Sequence, residues 1–312
     1  MLDRPTLLDA AMGTALIARG LPQGVPPEAW LRDRPEEIAR VHAAHAAAGA
    51  RVLLTCTFGC ASARVEAALG AAAIGSLCAS AVGLARGAAP PGVRVAGALG
   101  PTGLVAPRAP AAPTSAAPPT SAPPPTSTRT PTRTRMPTPT RGAPPAPSRG
   151  ALEARYAVPV RALAAAGADL LWIESQWDLD EARAALAAAR ASGLPTVVTF
   201  AFAETGGRLH APGGSTAEEC LSAVASHGAL AAGVNCVFPG PALAALAAWA
   251  KARLRVPFVA KPSPGLPGAV ASPEAFGEAL RPAFAAGLRI AGACCGATAD
   301  HLRALAPLVS RA

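Results

Sequence analysis

Three cysteines carry the most chemistry in this chain. Cys294 and Cys295 stand side by side in Ile290-Ala-Gly-Ala-Cys-Cys-Gly296, at the end of an apolar run, and Cys236 closes a similar run, Ala232-Gly-Val-Asn-Cys236. Three thiols at the ends of two strand-like segments suggest one tetrahedral Zn2+ site with its fourth position open, the arrangement that catalytic zinc keeps for water or substrate. Taken alone, Cys236 reads as a small buried hydrophobe on a strand. The adjacent pair resists that reading. Neighbours on a regular strand point to opposite faces, so both reach one ion only if the backbone turns, and Gly296 permits the turn.

The ligand set points to a reaction class. Hydrolytic zinc usually carries His or carboxylate ligands and activates water. Three thiolates leave a divalent ion with net negative charge and make it a poor Lewis acid toward water. Such an ion still binds an incoming thiol as thiolate, so the natural chemistry is alkyl transfer to a substrate thiol. No His-Glu-x-x-His occurs, and His42, His45, His210, His227 and His301 fall outside the strand ends, on expected helix surfaces or loops.

Positioning these groups requires a scaffold. Strand-like runs fall at 6–12, 52–58, 93–99, 170–174, 196–202, 231–237, 258–262 and 290–295, and Ala-rich helical stretches follow them, among them one over 61–88 and one over 152–166. Asp178, Ser215, Ser272 and Thr298 are placed to cap helices. Eight strand-then-helix units imply a parallel sheet covered by helices, of the size of a (β/α)8 TIM barrel. An open doubly wound sheet is the alternative, but no Gly-x-Gly-x-x-Gly follows the first strand. In a barrel the catalytic groups gather at the C-terminal strand ends. Read in order, those ends hold Asp9, Thr55, Thr57, Gly100, Glu174, Phe202, Asn235 with Cys236, Lys261, and Cys294 with Cys295. Asp9 and Glu174 are the groups to hold an α-ammonium through charge-assisted hydrogen bonds. Asp9 could equally cap a loop, whereas Glu174, after Leu170-Leu-Trp-Ile173, needs a partner.

The 312 residues are 51% hydrophobic, enough for one barrel domain over 1–312 with a sizeable core. Residues 109–149 interrupt it with a Pro/Thr/Arg-rich insertion after strand 3 that contains no Leu, Ile, Val or aromatic residue. It is expected to be disordered, having almost nothing to bury against the cost of ordering. A neutral insertion, a lid and a reading-frame artefact are three origins for it. The net charge of +9 falls to +3 without Arg108, Arg129, Arg133, Arg135, Arg141 and Arg149. The basic excess therefore lies outside any helix face, and nucleic acid is not an expected partner. No uninterrupted 18-residue apolar run and no secretory signal are visible, so no membrane partner is expected. Seven cysteines, an odd number, fit free thiols or metal ligands in a cytoplasmic protein better than a disulfide framework.

The ordered motifs resemble the homocysteine S-methyltransferase family. They are Leu7-Leu-Asp-Ala-Ala-Met-Gly-Thr14, Trp30, Pro35-Glu36, Val41-His42, Ala48-Gly-Ala50, Thr55-Cys-Thr-Phe-Gly59 and Gly97-Ala-Leu-Gly-Pro-Thr-Gly103. The series continues with Ala166-Gly-Ala-Asp169, Ile173-Glu-Ser175, Gly233-Val-Asn-Cys236, Lys261-Pro262, Gly292-Ala-Cys-Cys-Gly296 and His301-Leu302. Ala10 stands where the family usually has Gly, Ser175 where it has Thr, and Gly296-Ala-Thr298 replaces Gly-Thr. The resemblance implies a (β/α)8 barrel with Zn2+ on Cys236, Cys294 and Cys295. It also implies a homocysteine pocket formed by Asp9, Glu174, Asn235, Thr55, Thr57 and Phe58, and methionine as product. With no room for folate and cobalamin modules, the expected methyl donor is a sulfonium, S-methylmethionine or S-adenosylmethionine. Betaine as donor and selenocysteine as acceptor are variants. A non-catalytic zinc- or thiol-binding barrel compromised by the insertion is the alternative, and a homo-oligomer is left open.

Overall fold

The computed structural model describes residues 2–105, 146–266 and 269–312. Eight parallel strands form the barrel: β1 (Thr6–Leu7), β2 (Val52–Leu54), β3 (Arg94–Leu99), β4 (Leu170–Gln176), β5 (Thr196–Phe200), β6 (Ala231–Asn235), β7 (Phe258–Lys261) and β8 (Ile290–Ala291). They are hydrogen-bonded in the order β1-β8-β7-β6-β5-β4-β3-β2. An isolated parallel bridge between Leu8 and Val52, with Arg51 N donating to Leu7 O at 2.8 Å, brings β1 and β2 together and nearly closes the ring. Helices fill the connections, as strands buried on both faces require.

The two faces of each strand separate cleanly. Leu8, Val52, Leu54, Ala96, Ala98, Leu170, Trp172, Val197, Ala231, Val259 and Ile290 belong to one cluster, the lumen filling. Their neighbours Leu7, Leu53, Val95, Leu99, Leu171, Ile173, Val198, Phe200, Val234 and Ala260 belong to the larger cluster under the helices. This is the period-two alternation of a pleated strand. Trp172 is wholly buried in the lumen, where Ala96, Ala98 and Ala231 leave it space. At Gly233 a Cβ would stand 1.8 Å from Val259 O, so only glycine lets β6 and β7 approach this closely. Continuing the inward parity up β4, β5, β6 and β7 gives Glu174, Thr199, Asn235 and Lys261: the apolar lumen ends in a polar layer.

Several elements differ from the sequence expectation. The first and last strands are shorter, because Met12 begins the helix Met12–Ile17 and Cys294 and Cys295 lie in a turn beyond β8. The chain there leaves the ladder but stays pinned by Ala293 N to Asp9 O at 3.1 Å and Cys294 N to Pro262 O at 2.8 Å. The helix expected over 61–88 breaks at Gly70, whose φ of +87° ends Ala63–Leu69 before Ile74–Ala88 begins. Residues Ala71–Ala88, of mean hydropathy 1.3, are long and apolar enough to cross a membrane. Their Ile74, Leu77, Cys78, Ala81, Val82 and Ala85 are buried in the barrel's helical layer. Thr216, not Ser215, caps Ala217–Ser226, accepting from Glu219 N at 3.2 Å. Two hairpins, Ala203–Thr205 with Arg208–His210 and Gly265–Leu266 with Ala269–Val270, were not anticipated. His42, His45 and His301 are buried rather than on helix surfaces. Burial lowers the first two imidazoles to about 4.

The insertion follows β3 as expected. Residues 106–145, with Arg108, Arg129, Arg133, Arg135 and Arg141 and the expectation of disorder, lie outside the described residues. Its C-terminal boundary moves inward. Ser148 Oγ accepts from Ala151 N at 3.2 Å and caps the helix Arg149–Ala165, in which Arg149 pairs with Glu153 at 2.7 Å.

Candidate metal and substrate site

The three thiols meet at the C-terminal rim of the barrel. Their Sγ atoms all lie within 4.8 Å of one another and form the one potential metal-holding group among the described residues. Cys236 Sγ stands 2.8 Å from Cys294 Sγ and 3.9 Å from Cys295 Sγ. Two sulfurs on one tetrahedral zinc, each bonded at about 2.3 Å, stand roughly 3.8 Å apart. The 3.9 Å separation fits such an ion directly, and the 2.8 Å one is shorter than two sulfurs sharing an ion would stand. The donor set therefore fits a metal that takes thiolate ligands. Hydrogen bonds from Cys236 and Cys294 concentrate negative charge on Cys295 and lower it to about 3, while the bonds Cys236 makes and its burial push that thiol up.

The backbone bends at each thiol. Cys236 follows β6 with φ +57°, a left-handed conformation uncommon for a residue with a side chain, and its N–H donates to Lys261 O at 3.1 Å. Gly296 has φ +83° and donates to Thr14 Oγ1 at 3.1 Å, which makes the turn that brings Cys294 and Cys295 to the same side. On β4 the register shifts between Ile173 and Gln176, and Ser175 has φ +58°. This bulge carries Glu174. Asn235 braces the three segments from a fully buried position. Its Oδ1 accepts from Ser175 N and Thr199 Oγ1, both at 2.8 Å, and its Nδ2 donates to Ser175 Oγ at 2.6 Å and Cys236 Sγ at 3.4 Å.

The two acids have different surroundings. Asp9 is buried, with Oδ1 2.6 Å from Lys261 Nζ and Oδ2 accepting from Leu54 N at 2.7 Å. Glu174 is half-buried, and its carboxylate has no hydrogen-bond or ion-pair partner among the described residues. Desolvation raises it to about 7, opposed by the Lys261 charge. Thr55 and Thr57 are buried and bonded to each other at 2.6 Å; Thr57 Oγ1 reaches Ala98 O at 2.7 Å, and Ala98 N donates to Thr55 Oγ1 at 3.0 Å. Phe58 is 44% exposed at the rim and packs on Gly100, where a Cβ would meet the ring at 2.4 Å. The structure thus brings the three cysteines and Asn235 together. It couples Asp9 to Lys261, leaves Glu174 unengaged, and sets Thr55 and Thr57 into the wall between β2 and β3. Sequence reasoning missed the Asp9–Lys261 pair and the bracing by Ser175 and Thr199. The inward parity of Lys261 on β7 was the signal that could have found the pair.

Comparison with known proteins agrees with this geometry. The homocysteine methyltransferase MmuM from Escherichia coli, in its metallated form, is similar at 25% identity and TM-score 0.71, over 99% of this chain and 97% of that one. Its apo form gives 24% identity and TM-score 0.68, over 98% and 97%. The carboxyl transferase domain of Rhizobium etli pyruvate carboxylase shares the fold alone, at 13% identity and TM-score 0.51, over 94% of this chain and 40% of that one. The family model for homocysteine S-methyltransferase matches residues 6–309, nearly the whole chain. With its thiol cluster at the rim of an eight-stranded barrel, the chain belongs to the homocysteine S-methyltransferase family of methyl-transferring enzymes.

Proposed function

We propose that the protein moves a methyl group from a sulfonium donor, S-methylmethionine or S-adenosylmethionine, to the thiol of L-homocysteine, giving methionine. The observation that carries this reading is the convergence of three Sγ atoms within 4.8 Å at the barrel rim. Zn2+ held by Cys236, Cys294 and Cys295 would keep a substrate thiol in its thiolate form at neutral pH. The remaining work falls to the chain's own groups. Glu174, free of hydrogen-bond and ion-pair partners among the described residues, takes the α-ammonium, and the nearby Asp9, paired with Lys261, adds negative charge. Asn235 fixes the Ser175 turn and the Cys236 sulfur relative to each other, so amino-acid pocket and thiol site keep one geometry. The homocysteine sulfur then forms its bond to the donor methyl carbon as the donor's own C–S bond breaks, and the donor leaves as a neutral thioether. Much of the acceleration comes from orientation.

The local charge supports a cationic donor: Asp9, Glu174 and Cys294 act on the Lys261 ammonium, and Cys236 and Cys295 cluster with Cys294. Phe58 and Phe238, 44% and 53% exposed, supply aromatic surface in the loops after β2 and β6, which suits a sulfonium as it suits other soft cations. The free state of all seven cysteines fits a reducing cytoplasm.

The test is a transfer assay with L-homocysteine and each of S-methylmethionine, S-adenosylmethionine and betaine, before and after chelation, with Cys295→Ala as control. Methionine is expected from a sulfonium donor, with loss of activity on chelation and recovery with zinc. Transfer that persists undiminished in the chelated protein contradicts the reading.

A further inference from the structure

Lys261 ends β7 opposite Asn235 of β6, on the inward side of the barrel above Val259. Its side chain is 4% exposed, and Nζ lies 2.6 Å from Asp9 Oδ1 and 6.0 Å from the centre of the Trp172 ring, at the floor of the mouth. An ammonium has three N–H donors. One goes to Asp9, and no other hydrogen bond to Nζ occurs among the described residues. A buried ammonium with unengaged donors favours a nearby acceptor. The negative groups acting on it are Asp9, Glu174 and Cys294, so it sits among the groups that face the substrate.

We infer that Lys261 determines specificity by receiving the α-carboxylate of the thiol amino acid while Glu174 receives its α-ammonium. The inference rests on reading this pocket as the homocysteine site. A mouth lined by Asp9, Glu174 and thiolates alone would attract any cationic thiol and repel a carboxylate. Lys261 reverses that repulsion and makes the site complementary to a zwitterion, since like-charge juxtaposition is what suppresses wrong partners. Its contact with Asp9 holds the ammonium in place across the barrel mouth, from β7 to the end of β1, past the intervening β8.

The experiment compares L-homocysteine with 3-aminopropane-1-thiol, the same chain without the carboxylate, on the zinc-loaded wild type, Lys261→Met and Lys261→Arg. Calorimetric binding is measured without a donor, and kcat and KM with one. Wild type is expected to favour L-homocysteine. Lys261→Met is expected to raise KM for L-homocysteine by roughly a hundredfold while leaving the amine thiol within about threefold, so the preference collapses. Lys261→Arg, which keeps the charge, is expected to retain most of the preference. Equal losses for both thiols in a folded, zinc-replete Lys261→Met would overturn the assignment, because bracing of Asp9 alone would weaken both. Should Lys261→Met not fold, Lys261→Arg and wild type decide: no preference in wild type for the carboxylate-bearing thiol also overturns it. Wild type that binds neither thiol overturns the homocysteine reading instead, so the two failures are distinct.

Discussion

The mouth of the barrel has two halves that differ in what their polar groups already hold. Over β2 and β3, Thr55 and Thr57 bond to each other and to Ala98. Next to them Thr102 donates from both N and Oγ1 to Glu181 Oε1 at 2.6 Å, and Tyr156 OH joins the same oxygen at 3.2 Å. Over β4, β6 and β8, the Glu174 carboxylate has no hydrogen-bond or ion-pair partner among the described residues, and three thiols crowd together with Asn235 donating to Cys236. In the first, satisfied half the Thr55, Thr57 and Thr102 hydroxyls are all bonded within the wall, while Glu181 Oε2 is a buried oxygen left without a partner. The other, unsatisfied half leaves groups without partners where buried polar groups are otherwise paired, and under the proposed function an ion and a substrate would complete their bonding.

The largest effect should come from breaking the unsatisfied half. Cys294→Ala or Cys295→Ala is expected to abolish stoichiometric zinc and lower transfer by at least about a thousandfold, since the activated nucleophile and its orientation go together. Thr57→Val in the satisfied half should lower stability by about 1–3 kcal/mol through the orphaned Ala98 carbonyl and Thr55 hydroxyl, yet leave one zinc per chain. Metal analysis beside denaturant unfolding separates the two. Loss of zinc in Thr57→Val would erase the distinction between the halves.

Legibility in the sequence follows the same division. Strand positions were readable because buried parallel strands are continuous apolar runs, and all eight expected segments overlap a barrel strand, β4 running two residues past its segment. The thiol cluster was readable because Cys236 and Cys294 close two such runs. The Gly296 turn was readable from residue type, as only glycine takes that φ at no cost. The bends at Ser175 and Cys236 were not, since nothing in Ser or Cys announces a left-handed φ. The Asp9–Lys261 pair was hidden by 252 residues of separation and by strand order, which leaves β8 alone between β7 and β1. The histidines were misplaced because an Ala-rich helix, Pro35–Ala47, gives weak amphipathic contrast, and His42 and His45 turned out to lie on its inner face.

Glu174→Gln sharpens the comparison within the reactive half. It keeps shape and removes charge, so KM for L-homocysteine should rise by roughly 10- to 100-fold while zinc content holds. The pH profile gives a second readout. Wild-type KM should fall as pH rises through about 7, where desolvation places this carboxyl, and the slope should vanish in the variant. Stability runs the other way. A carboxyl whose folded value lies above its unfolded value holds an extra proton when folded, so the fold loses stability as pH rises from about 4.5 toward 7. Steeper pH dependence of KM in Glu174→Gln than in wild type would remove Glu174 from the ammonium site.

The smallest effect on transfer tests whether an unpartnered group always signals function. His42 has both ring nitrogens buried without a hydrogen-bond partner, and His45 has Nδ1 in the same state. Both lie on the helix Pro35–Ala47, and neither belongs to the thiol cluster. Burial outweighs the attraction of Asp9 and holds both imidazoles neutral down to about 4. A neutral, buried imidazole differs from a desolvated carboxyl near 7 in that its titration lies far below working pH, so it exchanges no proton during turnover. His42→Leu with His45→Leu is therefore expected to change kcat/KM at neutral pH by less than about threefold. The consequence belongs to stability. Unfolded imidazoles bind protons below about 6.5 and the folded ones do not, so wild type should lose on the order of 3 kcal/mol per histidine between about pH 6.5 and 4. Denaturant unfolding across that range should show the slope in wild type and a flatter line in the double variant. A large loss of transfer at neutral pH with zinc and stability intact would place the pair in the catalytic machinery and end the equation of the mouth's unsatisfied half with the whole site.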